Sequence, residues 1–301
     1  MSDNGFGTKA NSRDYQLAVH RIAAALDGGR TRALGTTTFS DPEGHIGWEI
    51  WRDGGCAAAG DLPAGCVCPA PDRMLTGWDF GLESIQVAKD RTLWFGDEFG
   101  PCLLHTDAQG RLLEAPVKLP GVTSPADPDT QAPAANFADS KGFEGMAIVP
   151  SSRTLYLMLA GVTAEDGAAG LAADRRIYEV RLGAGNRATA FTGEFIGYRM
   201  ERPECSVGDL VAVSAHQFLM LERDDTQAED AQFKKVFLVD TRDRDRDGCA
   251  DNRELVDLLD AADPQRLAAA DGTYRMPFVT IDLLEDLRVD HRLLPGAVET
   301  R

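Results

Sequence analysis

A repeated order of residues constrains the fold of this chain more than any other feature of the sequence. Three stretches share an acidic residue, an alternating apolar strand, a short polar turn and a second apolar strand: ESIQVAKDRTLWF from residue 83, EGMAIVPSSRTLYL from 144 and GDLVAVSAHQFLML from 208. EDLRVDHRLL, from residue 285, follows the same order. A further alternating strand follows each of the first three, in PCLLHTDAQGR, RRIYEVRL and KKVFLVDTR. Apolar alternation bounded by Gly, Asp, Asn and Pro is typical of antiparallel strands.

The spacing of the repeats predicts an all-β fold, a β-propeller of short antiparallel blades in one domain over residues 1–301. The repeats recur at roughly 60 residues, whereas propeller repeats are usually about 40 to 50 residues long, so we expect long loops at 120–140 and 161–174. YQLAVHRI near the start fits the third strand of a blade. A β-sandwich is the alternative, because short alternating strands occur in both folds. Helical spacing is convincing only in 252–270, where Pro264 should interrupt a short helix.

Acidic residues recur at corresponding places in the repeats. Glu83, Glu144 and Asp209 are expected just before a first strand, and the clusters GDEFG (96–100) and ERDD (222–225) just after a second strand. Corresponding positions of successive blades converge around the axis of a propeller, so the acids are expected to form a ring that needs cations. The candidate catalytic residues are Glu83, Asp97, Glu98, Glu144, Glu222 and Asp224. Alternatively, each acid caps a turn or pairs with an arginine such as Arg223 in its own blade.

The segment DRDRDGCADNRE, residues 243–254, matches the spacing of a calcium loop. Oxygen atoms at alternating positions of a tight loop point inward, and glycine at the sixth position allows the sharp turn. The expected ligands of Ca²⁺ are Asp243, Asp245, Asp247, the Cys249 carbonyl, Asp251 and Glu254. The alternative is a solvated turn in which Asp and Arg neutralise one another. Because a strand precedes the loop, a stabilising role is favoured over signalling.

Composition excludes several classes of function. The net charge of −17 argues against nucleic-acid backbones and anionic membrane surfaces, and favours a cation or a substrate that carries one. We expect no membrane insertion, because no apolar window reaches about 18 residues.

The motifs of α/β-hydrolases, P-loop and dinucleotide-binding proteins and zinc proteases are absent from the sequence. The six cysteines do not form a dense disulfide framework; a loop disulfide among Cys56, Cys66 and Cys68 is the alternative to free thiols.

The chain resembles the phytase-like β-propeller family, often described as esterase-like activity of phytase. The resemblance covers most of the chain, and its most specific part is GDEFGPCLLHTDAQGRLLEAP. The other stretches that carry it are DNGFGTKANS (3–12), LTGWDFGLESIQVAKDRTLWF (75–95), KGFEGMAIVP (141–150), LERDD (221–225), KKVFLVD (234–240), LVDLLDAADP (255–264) and PFVTI (277–281). By comparison with the family, we expect the first and last blades to be truncated, which puts activity in doubt. Relatives are commonly exported, but this chain shows no signal peptide, so its localisation stays open.

The resemblance implies a propeller, calcium as the ion and hydrolysis of a phosphate or carboxylic ester. In some relatives the domain accompanies a glycerophosphodiester phosphodiesterase domain, which favours a small phosphoester substrate attacked by metal-activated water. Arg223 and Lys141 are the candidates for binding phosphate oxygens. The alternatives are a non-catalytic propeller that binds a ligand and uses calcium structurally, and a carboxylesterase, for which the sequence shows no nucleophile.

Overall fold

The described part of the chain is almost entirely β-structure. The computed structural model describes residues 9, 12, 15–25, 30–50, 72–129, 133–150, 152–171, 173–183, 188–226 and 230–260. They fall into two compact units, one within residues 1–135 and the other within 136–288. That the chain forms a single domain stays a prediction. Among the described residues, no helix has the length and apolar character needed to cross a membrane.

The first unit contains a two-stranded and a four-stranded antiparallel sheet. Strands β1 (Ala18–Ala25) and β2 (Arg30–Thr38) pair with each other. The larger sheet has the order β3-β4-β5-β6, with strands β3 (Leu82–Val87), β4 (Leu93–Asp97), β5 (Cys102–Thr106) and β6 (Val117–Lys118). The hydrophobic core of the first unit includes Phe39, Leu75, Phe80, Phe95 and Leu104, all fully buried.

The second unit contains two four-stranded antiparallel sheets, with the orders β7-β8-β9-β10 and β11-β12-β13-β14. The first consists of β7 (Phe143–Ile148), β8 (Thr154–Leu159), β9 (Asp174–Arg181) and β10 (Ala190–Arg199). The short helix α1 (Ala164–Ala168) lies between β8 and β9. The second sheet consists of β11 (Ser206–Ala212), β12 (Gln217–Arg223), β13 (Lys234–Asp240) and β14 (Asp251–Asp257).

One hydrophobic core joins the two sheets of the second unit. Tyr198 of β10, Phe218 of β12 and Phe237 of β13 belong to the same buried cluster. The first strands of the two sheets approach closely where Gly145 faces Leu210, since a Cβ atom at Gly145 would lie 3.2 Å from the Leu210 Cβ. Glycine in a strand often marks such a close approach.

The predicted repeat is confirmed for its first three copies. Each copy supplies the first two strands of a four-stranded sheet, and the predicted third strands are β5, β9 and β13. The fourth copy, from residue 285, lies outside the described residues. In strand β9 the alternation that the sequence predicts holds at Arg175 and Ile177, which are buried between more exposed residues, and it shifts by one residue at the buried Tyr178, after which Val180 is buried.

The helix predicted from residue 252 is wrong in its described part. Residues 252–257 belong to strand β14, and a 3-10 helix (Leu258–Asp260) follows; residues 261–270, with Pro264, lie outside the described residues. Pairing with β14 satisfies the backbone groups along the edge of β13, which outweighs helical side-chain spacing. The predicted loop at 161–174 contains helix α1, whereas the described parts of 120–140 contain no helix or strand.

The cysteines divide into two groups. Cys102, Cys205 and Cys249 are buried free thiols. Cys56, Cys66 and Cys68, the residues of the possible loop disulfide, lie outside the described residues.

Candidate functional site

The repeated acids lie inside the first strand of the three four-stranded sheets in the described part of the chain, each at a β-bulge. The pairing register shifts at Glu83 in β3, at Glu144 in β7, and at Gly208 and Asp209 in β11. The prediction that these acids precede the strand is therefore wrong, because pairing begins before them. A bulge changes the direction of a side chain and is frequent next to functional sites. Glu83 and Glu144 are half-buried, and Asp209 is buried.

Asp97 ends strand β4 as a fully buried carboxylate. Its oxygens accept hydrogen bonds from the backbone N–H groups of Gly81 at 2.9 Å and Gly100 at 2.7 Å, and the Cys102 thiol lies 3.5 Å away. Burial raises the pKa of Asp97 to about 6, although these hydrogen bonds act to lower it. The side chain thus ties the start of β3 to the turn between β4 and β5.

Glu98 follows Asp97 and is half-buried. Its backbone N–H donates to the Gly81 carbonyl at 2.8 Å. The side chain lies against Gly81, since a Cβ atom there would be 2.8 Å from the Glu98 Cγ. In the first unit, Asp97 and Gly81 therefore hold Glu98 in place, and Glu83 follows Gly81 by two residues.

Glu222 is the corresponding buried acid of the second unit. It lies near the end of β12, where its oxygens accept hydrogen bonds from the Tyr198 hydroxyl at 2.5 Å and the Glu201 N–H at 3.2 Å. Burial raises the pKa of Glu222, and the two hydrogen bonds partly offset this. Because Tyr198 belongs to β10, this carboxylate links the two sheets of the unit.

The Arg223 guanidinium forms ion pairs with two acids, Glu144 and Asp225. Its Nη2 lies 3.9 Å from Glu144 Oε2 and its Nη1 lies 2.7 Å from Asp225 Oδ1. The first pair joins β12 to the bulge of β7, in the neighbouring sheet of the same unit. Lys141 is half-buried just before β7, and its carbonyl accepts from the Gly161 N–H at 3.0 Å.

Asp224 forms an ion pair with Lys234, which is only 2% exposed. The Lys234 Nζ lies 2.6 Å from Asp224 Oδ1, and the other carboxylate oxygen accepts from the Gln232 N–H and the Thr226 hydroxyl. Burial acts to raise the pKa of Asp224, but these hydrogen bonds, led by Lys234, lower it. Asp224 therefore compensates a buried positive charge.

The predicted calcium loop brings its first three acids together. Oxygens of Asp243, Asp245 and Asp247 lie within 4.8 Å of one another. Asp243 accepts from the N–H groups of Asp247 at 3.0 Å and Gly248 at 3.1 Å, so the backbone coils around its carboxylate. Gly248 has a φ of 87°, which glycine adopts readily. Three carboxylates at this spacing form a donor set that fits a hard cation such as Ca²⁺.

The other predicted ligands lie on the C-terminal side of the loop. Asp251 begins β14 and accepts from the Arg244 N–H at 3.2 Å. Glu254 lies within β14, and its Oε2 is 2.8 Å from the Nζ of Lys235. Cys249 is buried, and its N–H donates to Asp247. The Arg244 guanidinium pairs with Asp240 at 2.8 Å, outside the three acids.

Sequence reasoning missed the side chains that hold the acids in place. Tyr198 and Lys234 bind Glu222 and Asp224 from strand positions that alternation predicts to be ordinary core or surface. Alternation along β13 gives no signal for Lys234, because Lys234 lies an odd number of residues from the buried Phe237 and Val239 and so falls on the other face of the strand.

Comparison with known proteins gives the family of the chain. A search of curated proteins found no match. The model of the phytase-like family, described as esterase-like activity of phytase, matches residues 1–298. This match covers nearly the whole chain, including the GDEFG segment that carries the most specific part of the resemblance. The chain therefore belongs to the phytase-like family, whose description is esterase-like activity of phytase.

Proposed function

We propose that this chain is a calcium-dependent hydrolase of the phytase-like type that acts on a phosphoester. Membership of the family supports hydrolysis of an ester. The observation that carries the proposal is the placement of Glu83 and Glu144 at β-bulges at the same point of two sheets, each half-buried and able to reach solvent. Acids held at fixed strand positions can bind a cation or orient water without first becoming ordered.

The roles of the six candidate acids differ with their burial. Each unit is a separate candidate: within the first unit we assign Glu83 and Glu98, and within the second unit Glu144, to binding a cation and orienting the attacking water. Asp97 and Glu222 are fully buried and hydrogen-bonded, so they position the neighbouring residues Glu98 and Arg223. Asp224 holds Lys234.

Arg223 and Lys141 are the groups we assign to phosphate oxygens. The Arg223 guanidinium is held between Glu144 and Asp225, which fixes its direction. Guanidinium groups bind phosphate through paired hydrogen bonds. Bound calcium would supply the positive charge that lets an anionic substrate approach the carboxylates and would lower the pKa of water. We assign the loop of Asp243, Asp245 and Asp247, continued by Cys249, Asp251 and Glu254, to a second, stabilising cation.

We also propose that the sheets are blades of a β-propeller. The support is their topology: each four-stranded sheet is a meander of consecutive antiparallel strands, which is the construction of a propeller blade. A sandwich instead exchanges strands between two sheets through Greek-key connections. An experimental structure of the full chain would decide between these two folds.

The test is hydrolysis of p-nitrophenyl phosphate, bis-p-nitrophenyl phosphate and p-nitrophenyl acetate, each with calcium and with EGTA. We expect calcium-dependent turnover of a phosphate substrate. Full activity after thorough chelation would contradict the mechanism, and turnover of the acetate alone would favour a carboxylesterase.

Single variants show which unit carries the reaction. Glu98→Gln changes the first unit and Glu144→Gln the second, and the exposed residues Glu43 and Glu194 provide matched Glu→Gln controls. The variant in the catalytic unit should lose turnover while the controls keep it. Saturable binding of a phosphate ester with no turnover in the unsubstituted chain would instead favour the non-catalytic binding module.

A further inference from the structure

The Asp-rich loop is docked on the outer strand of the neighbouring sheet. Within the second unit, the Gly197 N–H of β10 donates to the Gly248 carbonyl at 3.1 Å, and the Ala250 N–H donates to the Gly197 carbonyl at 2.7 Å. These bonds form a parallel bridge between Gly197 and Cys249. The loop therefore connects the β11–β14 sheet, to which it belongs, with the β7–β10 sheet.

The contact requires glycine on the β10 side. A Cβ atom at Gly197 would lie 2.9 Å from the Cys249 Sγ and 3.1 Å from the Gly248 carbonyl oxygen. One of these atoms belongs to the backbone of the loop, so a larger residue would push the loop away from β10. The buried thiol of Cys249 fills the space that the missing side chain leaves.

The guanidinium group of Arg199 places a positive charge next to Asp247, one of the three acids of the loop. Arg199 Nη1 lies 3.4 Å from Asp247 Oδ2, and its Nε lies 3.1 Å from Asp174 Oδ1. The Arg199 carbonyl also accepts from the Asn252 amide at 2.9 Å. Arg199 thus connects β10 to the docked loop at two points, Asp247 and Asn252.

We propose that the loop is a cation-controlled clasp between the two sheets of the second unit. Two events favour each other: the loop binds a cation through Asp243, Asp245 and Asp247, and the loop docks on Gly197. When no cation is bound, the Arg199 guanidinium supplies the positive charge instead. The inference rests on the calcium site of the proposed function. The physical reason is that repulsion among three carboxylates opposes the ordered loop, and a positive charge removes it. Such a coupling is reciprocal, so a loop that cannot dock binds the cation more weakly.

The test measures calcium binding to the full chain by titration calorimetry and the calcium-induced rise in Tm. Asp245→Asn identifies the binding step that belongs to the loop. Gly197→Ala should weaken that step by about tenfold, a typical size for coupling between sites, and should reduce the rise in Tm. Gly167→Ala in α1 is the control, because a Cβ atom there meets nothing within 4 Å. Equal affinity and an equal rise in Tm for Gly197→Ala and the unsubstituted chain would overturn the proposal.

Arg199→Gln gives a second test, which also serves if Gly197→Ala does not fold. Without calcium its Tm should fall, because the clasp loses its positive charge. Its calcium affinity at the loop should rise several-fold, because a like charge next to the cation is gone. The role of Arg199 would be contradicted if the Tm without calcium and the calcium affinity changed in the same direction, or if neither of them changed. If Asp245→Asn removes no calcium-binding step, the clasp is overturned. The ester assays report separately on hydrolysis.

Discussion

The Tyr198 hydroxyl donates a hydrogen bond of 2.5 Å to the carboxylate of Glu222, 24 residues away in the sequence. Tyr198 lies in the outer strand β10 of one sheet and Glu222 in strand β12 of the next. Both residues are fully buried. A buried carboxylate is costly unless hydrogen bonds compensate it, so this pair makes the packing of the two sheets depend on a polar contact.

Tyr198→Phe should destabilise the second unit. Removal of the hydroxyl leaves a buried carboxylate with one hydrogen bond fewer, and we expect a loss of about 2 kcal/mol in the free energy of unfolding. Urea denaturation measures it. Tyr156→Phe is the control, because its hydroxyl binds Glu179 at 3.2 Å in a half-buried position, and its cost should stay below about 1 kcal/mol. Equal costs for the two variants would contradict a special role for Glu222.

The stability contributed by Asp97 should fall as the pH rises. Its folded pKa of about 6 lies above the ordinary value of 3.8, so the folded state holds the proton more tightly than the unfolded state. The contribution is therefore complete below pH 3.8 and is lost as the pH passes through about 6. Two pKa units correspond to about 3 kcal/mol.

The measurement for Asp97 compares urea denaturation of the unsubstituted chain and Asp97→Asn between about pH 4 and pH 7.5. The amide of the variant does not ionise, so the difference between the two proteins isolates the titration of Asp97 from that of other groups. We expect this difference to shift in favour of the variant as the pH rises. A difference that does not change with pH would show that Asp97 keeps an ordinary pKa.

Gly110→Ala should be strongly destabilising in the first unit. Gly110 has a φ of 79°, and an added Cβ atom would clash with the backbone carbonyl oxygen of Thr38 in β2. Gly44 has a similar φ of 75° but nothing within 4 Å of such an atom, so Gly44→Ala isolates the conformational strain of about 1 to 2 kcal/mol. We expect the Tm of Gly110→Ala to fall well below that of Gly44→Ala. Similar Tm values would mean that the clash relaxes at no cost.

Asp224→Asn should destabilise the chain by about 3 kcal/mol, because it leaves the buried Lys234 ammonium without its carboxylate. The neighbouring variant Asp225→Asn breaks a pair whose carboxylate is 73% exposed, and should change stability by less than about 1 kcal/mol. Thermal denaturation compares them. A loss of hydrolysis in Asp224→Asn that accompanies an unchanged Tm would instead place Asp224 in the reaction itself.

Local patterns in the sequence predicted the strands well. The alternation in EGMAIVPSSRTLYL gives strands β7 and β8, because residues that alternate in a strand face either the core or the solvent. The first three acids of the Asp-rich loop also come together as their spacing predicts. In both cases the interacting residues are close in the sequence.

The errors arise where distant residues decide the structure. NRELVDLL has helical spacing, yet pairing with β13 and the contact of Glu254 with Lys235 hold its first six residues, 252–257, in strand β14. The bulge at Glu144 changes the register by one residue, too little to disturb the visible alternation. Nor does any local signal connect Tyr198 to Glu222, since only the packing of two sheets brings them together.

The order of strands in the sheets has a consequence for how the chain folds. Each four-stranded sheet is a meander, so every strand pairs with its neighbour in the sequence. Short loops close quickly, and hairpins form in about 1 to 10 μs. A sheet such as β7–β10 can therefore assemble during synthesis before the strands of β11–β14 leave the ribosome. We therefore expect the docking of the two sheets, where Gly145 meets Leu210, to be slower than the formation of either sheet.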